Sequence, residues 1–108
     1  MSTIAELQVR ARRNAVAHGF TESSFVERLA LVHSEVSEAL EEYRDGSLPA
    51  DVYWKESLKP EGVPIELADT VIRILDLCEA YGIDLEYAIE EKMKFNETRP
   101  FRHGGKVL

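Results

Sequence analysis

The sequence of 108 residues predicts an all-α fold, in which a single domain spanning residues 1–108 is built as a four-helix bundle. Apolar residues recur at helical spacing in four stretches, and glycine or proline residues separate these stretches. Helix-capping signals stand where the second and fourth stretches begin. No stretch alternates apolar and polar residues convincingly enough to predict a strand. A chain of this length has room for one core of three or four helices.

The first two helices have recognisable ends. The first runs from about Thr3 to His18, and Gly19 follows it at a position that favours glycine. The second opens with the capping box Ser24-Phe-Val-Glu27 and stops near Asp45-Gly46. Its apolar stripe, which is typical of an amphipathic helix, comprises Phe25, Leu29, Val32, Val36, Leu40 and Tyr43.

The third and fourth helices follow a long connection of roughly eighteen residues, a length that is often functional in a compact domain. Alternatively, this connection contains a short helix around Asp51 to Ser57. The third helix begins around Pro64 and reaches Tyr81. It is apolar around most of its circumference, which predicts a central position or a subunit interface. Asp84 can cap the fourth helix, which must end before Pro100.

Composition excludes several classes of protein. The formal net charge of −7 argues against a general affinity for nucleic acid. No apolar run is long enough to span a membrane, and residues 1–19 lack the apolar core of a signal peptide. Cys78 is the one cysteine, so an internal disulfide is impossible and the residue is expected to pack in the core. We therefore expect a cytoplasmic protein with neither a nucleic-acid nor a membrane partner.

Two acidic pairs are the strongest chemical signal: Glu35 with Glu38, and Glu66 with Asp69. Their i, i+3 spacing places each pair on one helix face. Two such helices packed together would hold four carboxylates around one point, and that charge cannot be buried without cations. An all-oxygen site selects Mg²⁺, or Mn²⁺ as a substitute, and such a site is typical of proteins that act on phosphates. The alternatives are a solvated acidic face and acids neutralised by Arg73.

A basic row on the fourth helix would suit phosphate oxygens. Lys92, Asn96 and Arg99 follow steps of four and three, so they lie on one stripe. Lysine offers a point charge, and arginine offers a fork that matches phosphate geometry. Lys106 ends the tail segment Arg99-Pro-Phe-Arg-His-Gly-Gly-Lys106, which taken alone could be a frayed basic end.

The order of these elements resembles the MazG-like nucleoside triphosphate pyrophosphohydrolases, which belong to the all-α NTP pyrophosphatase superfamily. The resemblance covers Glu-x-x-Glu, Glu-x-x-Asp, Lys-x-x-x-Asn and the His-Gly-Gly-Lys tail, from about Phe25 to Lys106. It implies Mg²⁺-dependent hydrolysis of a nucleoside triphosphate to the monophosphate and pyrophosphate. The substrate could be a ribo-, deoxy- or non-standard nucleotide. The resemblance also implies a homodimer or homotetramer, in which oligomerisation completes or extends the core helices.

The resemblance assigns roles to particular residues. The family's metal-binding acids correspond to Glu35, Glu38, Glu66 and Asp69. Its phosphate- and nucleotide-binding positions correspond to Lys92, Asn96, Arg99 and Lys106. Either Glu35 or Glu38 is expected to be the catalytic base, since a carboxylate beside the metal can take a proton from water. Trp54 suits stacking on a nucleobase and Phe20 suits the wall of a base pocket, although both could simply pack on the core.

Two other functions stay open on the sequence. Phosphoribosyl-ATP pyrophosphohydrolase shares the acidic helices and the attack at the α-phosphorus, but the His-Gly-Gly tail favours the MazG-like branch. A non-catalytic helical oligomer would use the acids in salt bridges and would gain no stability from divalent metal. A di-iron carboxylate bundle is rejected, because no glutamate lies three residues before any histidine.

Overall fold

The computed structural model describes residues 1–56 and 58–100, so the predicted site residue Lys106 lies outside the described residues. The four helices are α1 (Ile4–Ala17), α2 (Phe25–Arg44), α3 (Val63–Ala80) and α4 (Leu85–Glu97). Two short strands, β1 (Tyr53–Trp54) and β2 (Pro60–Glu61), lie between α2 and α3. The mostly helical fold confirms the all-α prediction. Among the helices described, none combines the length and the apolar character needed to cross a membrane.

Local sequence signals set the helix ends. The hydroxyl of Ser24 accepts the backbone N–H of Glu27 at 3.1 Å, and the Glu27 carboxylate accepts the N–H of Ser24 at 3.2 Å. The predicted capping box is therefore present at the start of α2. Thr3 and Glu6 form a second capping box at the start of α1. Asp84 accepts a backbone N–H bond and caps α4, as predicted.

The central helix is α3, which packs against α2 and against α1, whereas α4 packs mainly against α1. Buried Gln8 holds the turn before α4 to α1, because its side chain bonds the backbone of Ile83 at 3.0 Å and of Leu85 at 3.1 Å. No residue of α4 is buried, so this helix adds little to the core of a single chain. The predicted packing of Cys78 is confirmed. The buried apolar residues are Ala39, Leu75, Leu77 and Cys78.

A charged cluster joins the three packed helices. Asp76 of α3 accepts a bond from Arg28 of α2 at 2.8 Å and one from Arg12 of α1 at 3.3 Å. Arg28 is only 9% exposed, so its charge needs the nearby carboxylate. One carboxylate between two guanidinium groups therefore ties α1 and α2 to the middle of α3 and leaves a net positive charge there.

The connection between α2 and α3 differs from both sequence expectations. Tyr53 pairs with Glu61 and Trp54 with Pro60 in an antiparallel hairpin, so the prediction of no strand is wrong. The proposed short helix is also wrong, because no helical residue occurs in the described part of residues 51–57. Two-residue strands are too short to show alternation in the sequence. The Tyr53 hydroxyl donates to the Glu42 carboxylate at 2.9 Å, which ties the hairpin to α2.

Two of the three buried residues of α2, Arg28 and Glu35, are charged, whereas the apolar stripe of this helix is largely exposed. Glu35 is 7% exposed and faces α3, while Val36 is 50% and Leu40 is 55% exposed. The other exposed members of the stripe are Phe25, Leu29 and Tyr43. In one chain, α2 therefore turns its acidic flank inward and leaves a contiguous apolar surface outside.

Candidate metal centre

Three of the four predicted metal ligands meet at the contact between α2 and α3. Carboxylate oxygens of Glu35, Glu38 and Glu66 all lie within 4.8 Å of one another, and we call these three residues the acidic cluster. Glu35 and Glu38 share a face of α2 because they are separated by three positions. Glu66 comes from the first turn of α3, which begins beside them. Because α2 and α3 pack together, the glutamates of α2 meet the glutamate of α3 in one site.

Glu66 has the most strained electrostatic environment of the cluster. One of its oxygens is buried without a hydrogen-bond partner. Burial, followed by the hydrogen bond and the negative charge of Glu38, raises the pKa of Glu66 to about 7. The charges of Asp69 and Glu35 act in the same direction. At neutral pH the acidic cluster therefore either retains a proton or requires a cation in its place.

Asp69 lies at the edge of the acidic cluster, outside the group of three whose oxygens converge. Burial raises its pKa above the ordinary value, and the negative charge of Glu35 adds to this effect. Two positive charges oppose the rise, those of Arg73 and Lys59. The negative charges of the cluster therefore act on Asp69, although its carboxylate is not one of the converging groups.

Arg73 neutralises part of the negative charge, as one sequence alternative anticipated. Its Nε donates to Oε1 of Glu35 at 2.5 Å, and the Glu35 side chain is 9% exposed. The rest of the Arg73 side chain is more accessible to solvent than Glu35 is, because it is 42% exposed. One arginine balances one carboxylate, so the acidic cluster with Asp69 still carries an excess of negative charge.

The donor set of the acidic cluster fits a hard divalent cation. All three groups are carboxylates, which Mg²⁺ and Mn²⁺ prefer. Opposite ligands of a Mg²⁺ ion stand roughly 4 Å apart, given bonds of about 2.1 Å. The oxygens of the acidic cluster lie within 4.8 Å of one another, so no more than small side-chain rotations would be needed to close them around an ion. The orphaned Glu66 oxygen supplies the donor that such an ion would need.

A cavity of about 230 Å³ adjoins the acidic cluster, and Arg73 forms the shared wall. Its lining residues are Phe20, Ser23, Arg28, Leu31, Arg73 and Asp76. Phe20 lines this cavity, and its role in a base pocket stays a prediction. Trp54 is 61% exposed on the hairpin and does not line this cavity. The two aromatic candidates therefore lie in different parts of the surface.

The basic row of α4 does not reach the acidic cluster within one chain. Lys92 Nζ lies 4.9 Å from the ring centre of Phe95, and the guanidinium carbon of Arg99 lies 5.3 Å from it. Lys92, Asn96 and Arg99 are all exposed. Across residues 1–56 and 58–100, no side-chain hydrogen bond or ion pair joins these three residues to α2 or α3. Both cations lie over the ring of Phe95 instead.

Sequence reasoning missed two positive charges, those of Arg28 and Lys59. Arg28 and Glu35 are seven positions apart, which is two helical turns, so their common face was readable from the sequence. That face is the buried one, and it explains how Arg28 reaches Asp76. Lys59 was missed for a different reason, since its position depends on a hairpin that the sequence pattern does not reveal.

Comparison of the chain with protein-family models, curated proteins and solved structures finds no match. The functional assignment therefore depends on the side chains at the α2–α3 contact and on the order of motifs along the sequence.

Proposed function

We propose that the protein is a Mg²⁺-dependent nucleoside triphosphate pyrophosphohydrolase, which converts its substrate to a nucleoside monophosphate and pyrophosphate. The observation that carries this proposal is the acidic cluster, with its converging carboxylates and a buried, unpartnered Glu66 oxygen. The MazG-like order of motifs supports the same activity. The substrate class includes ribo-, deoxy- and non-standard nucleoside triphosphates, and Mn²⁺ is the expected substitute metal.

The acidic cluster and Asp69 would hold the metal. Bound Mg²⁺ supplies positive charge that offsets the triphosphate oxygens and helps to orient them for displacement. Glu38 is the better candidate for the catalytic base, because an oxygen of Glu35 already accepts the bond from Arg73. Glu38 is also the exposed member of the cluster, where water has access. In this scheme Glu38 takes a proton from the water that attacks the α-phosphorus, and pyrophosphate leaves.

The cavity beside Arg73 is the proposed site for the nucleoside. It adjoins the acidic cluster, so a triphosphate held there would direct its sugar and base toward Phe20. Phe20 offers an aromatic face, and Ser23 with Asp76 offers polar groups for selecting a base. Trp54 on the hairpin is the alternative stacking residue.

A homodimer or homotetramer would complete this site. The apolar stripe of α2 is largely exposed, and Val71 and Ile72 of α3 are about half exposed. Surfaces of this kind favour association between chains. Lys92, Asn96 and Arg99 remain the proposed phosphate-binding residues, and they would reach an acidic cluster from a second copy of the chain. Lys106 keeps its proposed role from the motif order alone.

The test is an assay of purified protein with Mg²⁺ and a panel of ribo- and deoxynucleoside triphosphates, with the products separated by ion-exchange chromatography. Monophosphate with pyrophosphate is the expected outcome, and the rates would rank the bases. Diphosphate with orthophosphate would contradict the proposal, because it would mean attack at the γ-phosphorus. Phosphoribosyl-ATP belongs in the same panel, since that substrate would identify the related pyrophosphohydrolase branch.

One observation favours a second candidate, a non-catalytic helical oligomer. The bond between Arg73 and Glu35 is the salt bridge that such a protein would use to neutralise its acids. The two candidates differ in their response to metal. A non-catalytic oligomer would show no rise in melting temperature with Mg²⁺ or Mn²⁺ and no turnover of any nucleotide.

A further inference from the structure

Arg28 of α2 lines the cavity beside Arg73 and is the most deeply buried charged side chain of that lining. Its side chain is 9% exposed, compared with 14% for Asp76 and 42% for Arg73. A guanidinium that is buried to this extent needs partners for its charge and for its N–H groups. The bonds that Arg28 makes, and the N–H groups that it leaves over, therefore determine what the cavity can bind.

Two of the three guanidinium nitrogens of Arg28 are held by the protein. Nε donates to the backbone carbonyl of Ser23 at 3.3 Å, and Nη1 donates to the carboxylate of Asp76 at 2.8 Å. The third nitrogen, Nη2, makes no hydrogen bond with residues 1–56 or 58–100, and within these residues it is not among the atoms closed off from solvent. Because the rest of the side chain is enclosed, the cavity is where Nη2 can meet a ligand.

The nearest carboxylate does not use up these donors. Asp76 accepts a bond from Arg12 at one oxygen and from Arg28 at the other, so the polar groups left for a ligand are mainly N–H donors. Arg73 lines the same cavity, and only its Nε is bonded to Glu35. The cavity therefore suits a ligand that presents hydrogen-bond acceptors.

The size and the apolar walls of the cavity narrow the class of ligand. Its volume of about 230 Å³ is smaller than the roughly 300–1,000 Å³ of sites that enclose a whole drug-sized ligand, so it suits one part of a nucleotide. Phe20 and Leu31 supply apolar lining, which suits the faces of a planar ring. An inorganic oxyanion would match the donors but not these walls. A nucleobase with a carbonyl oxygen at its edge matches both.

We propose that Arg28 is a specificity-determining residue, whose Nη2 donates to the exocyclic carbonyl oxygen of a keto base such as uracil, guanine or hypoxanthine. This role rests on the proposed function, in which the nucleoside occupies the cavity beside Arg73. Adenine and cytosine carry an amino group at the equivalent ring position, and its N–H donors would meet those of the guanidinium. Two donors cannot bond each other, so Nη2 would lose water without gaining a partner. Triphosphates of keto bases are therefore the preferred substrates.

The preference is measured with two matched pairs of substrates, inosine triphosphate with ATP and UTP with CTP. The members of each pair differ in whether a carbonyl or an amino group stands at that ring position. With unmodified protein and Mg²⁺, kcat/KM for the keto member of each pair is expected to be higher by about tenfold or more, the effect of one charged hydrogen bond. This comparison needs no substitution, so a failure to fold cannot affect it.

Substitutions then assign the preference to Arg28. Lysine can keep the ion pair with Asp76 but offers no second nitrogen, so Arg28→Lys should reduce the keto preference to within about threefold of unity. Arg28→Gln should go further and favour the amino bases, because an amide oxygen accepts from them. Arg12→Lys is the control and should keep the full preference, since Arg12 bonds the same carboxylate but does not line the cavity. Circular dichroism and melting temperature establish that each variant is folded.

The outcomes separate the role of Arg28 from the proposed function. Turnover without a keto preference in the unmodified protein would overturn the role of Arg28 and leave the pyrophosphohydrolase activity standing. A folded Arg28→Lys that keeps the preference would overturn it as well. Loss of the preference in Arg12→Lys would assign it to the ion pairs around Asp76 instead of to Nη2. No turnover of any nucleotide would overturn the proposed function and the role of Arg28 with it.

Discussion

The two faces of α2 reverse the usual arrangement of an amphipathic helix, which buries its apolar residues and exposes its charged ones. The inner face places Arg28 and Glu35 against α3, and both side chains are nearly inaccessible to water. The outer face places Val36 and Leu40 in solvent, where each is about half exposed. A helix that only had to stabilise one chain would be turned the other way, because apolar burial stabilises a fold and charge burial costs free energy.

The charged inner face and the apolar outer face of α2 suit different roles. The inner face supplies the acidic cluster, whose charge is only partly offset by Arg73. The outer face offers the apolar surface that a second chain would cover. Burial within the chain therefore positions the acids, and burial between chains would add apolar stabilisation. Each face can be tested separately with a single substitution.

The largest effect is expected on the inner face. Glu38→Gln should abolish turnover of the preferred nucleoside triphosphate, with a fall of roughly a thousandfold or more, because it removes both a metal ligand and the proposed base. Asp69→Asn should also abolish turnover, because Asp69 is proposed to help hold the metal at the edge of the acidic cluster. The substitutions are nearly isosteric, so the helical circular dichroism spectrum should be unchanged.

Glu41→Gln is the control for Glu38, since Glu41 lies on the same helix but pairs with Arg44 at the exposed surface. Its turnover should match that of the unmodified protein. Loss of helical structure in both Glu38→Gln and Asp69→Asn would instead mean that the acids have a structural role, and the distinction between the two faces would then fail.

The second effect is expected on the outer face. Leu40→Glu should weaken self-association by roughly a hundredfold or more, because each copy would have to bury a carboxylate in the interface. Light scattering coupled to size-exclusion chromatography should then show a mass near that of one chain, 12.3 kDa. Leu48→Glu is the control, since Leu48 is 63% exposed but lies outside the apolar stripe. An unmodified protein that is already monomeric at micromolar concentration would contradict the proposed oligomer.

The two faces also show which features the sequence could predict. Helix ends were predictable because their determinants are local: the Ser24 capping box and the Asp84 cap involve residues only three positions apart. The pairing of Glu35 with Glu38 was predictable for the same reason, since i, i+3 spacing fixes two carboxylates on a face whatever the helix packs against. The same spacing did not fix how the two helices meet, and Asp69, the fourth predicted ligand, is not among the converging groups.

The orientation of α2 was not predictable in the same way. The apolar stripe marks a face that avoids water, but it does not specify whether the covering surface comes from the same chain. The hairpin is the second example, because its two-residue strands are set by the contacts of Tyr53 and Gly62 rather than by a periodic pattern. The position of Lys59 depends on that hairpin, so the effect of its charge on Asp69 appears only in the folded chain.

The smallest expected effect is a pH dependence on the inner face. The pKa of Glu66 is about 7, well above its ordinary value of 4.5, so the metal-free fold binds an extra proton between these pH values. The stability given by that proton is fully present below pH 4.5 and is lost as the pH rises through about 7. A divalent cation must displace the proton, so metal affinity should rise as the proton leaves.

Mn²⁺ should therefore bind about tenfold more tightly at pH 8 than at pH 6, as measured by calorimetry, because Glu66 changes from mostly protonated to mostly ionised around its pKa of about 7. The Mn²⁺-induced rise in melting temperature should be correspondingly larger at pH 8. Glu66→Gln should remove most of this pH dependence and should raise the metal-free stability at pH 8, since it keeps the side chain neutral. Equal Mn²⁺ affinity at both pH values would mean that Glu66 does not exchange its proton for the ion. The inner face would then be a structural layer of salt bridges, and it would no longer support the proposed function.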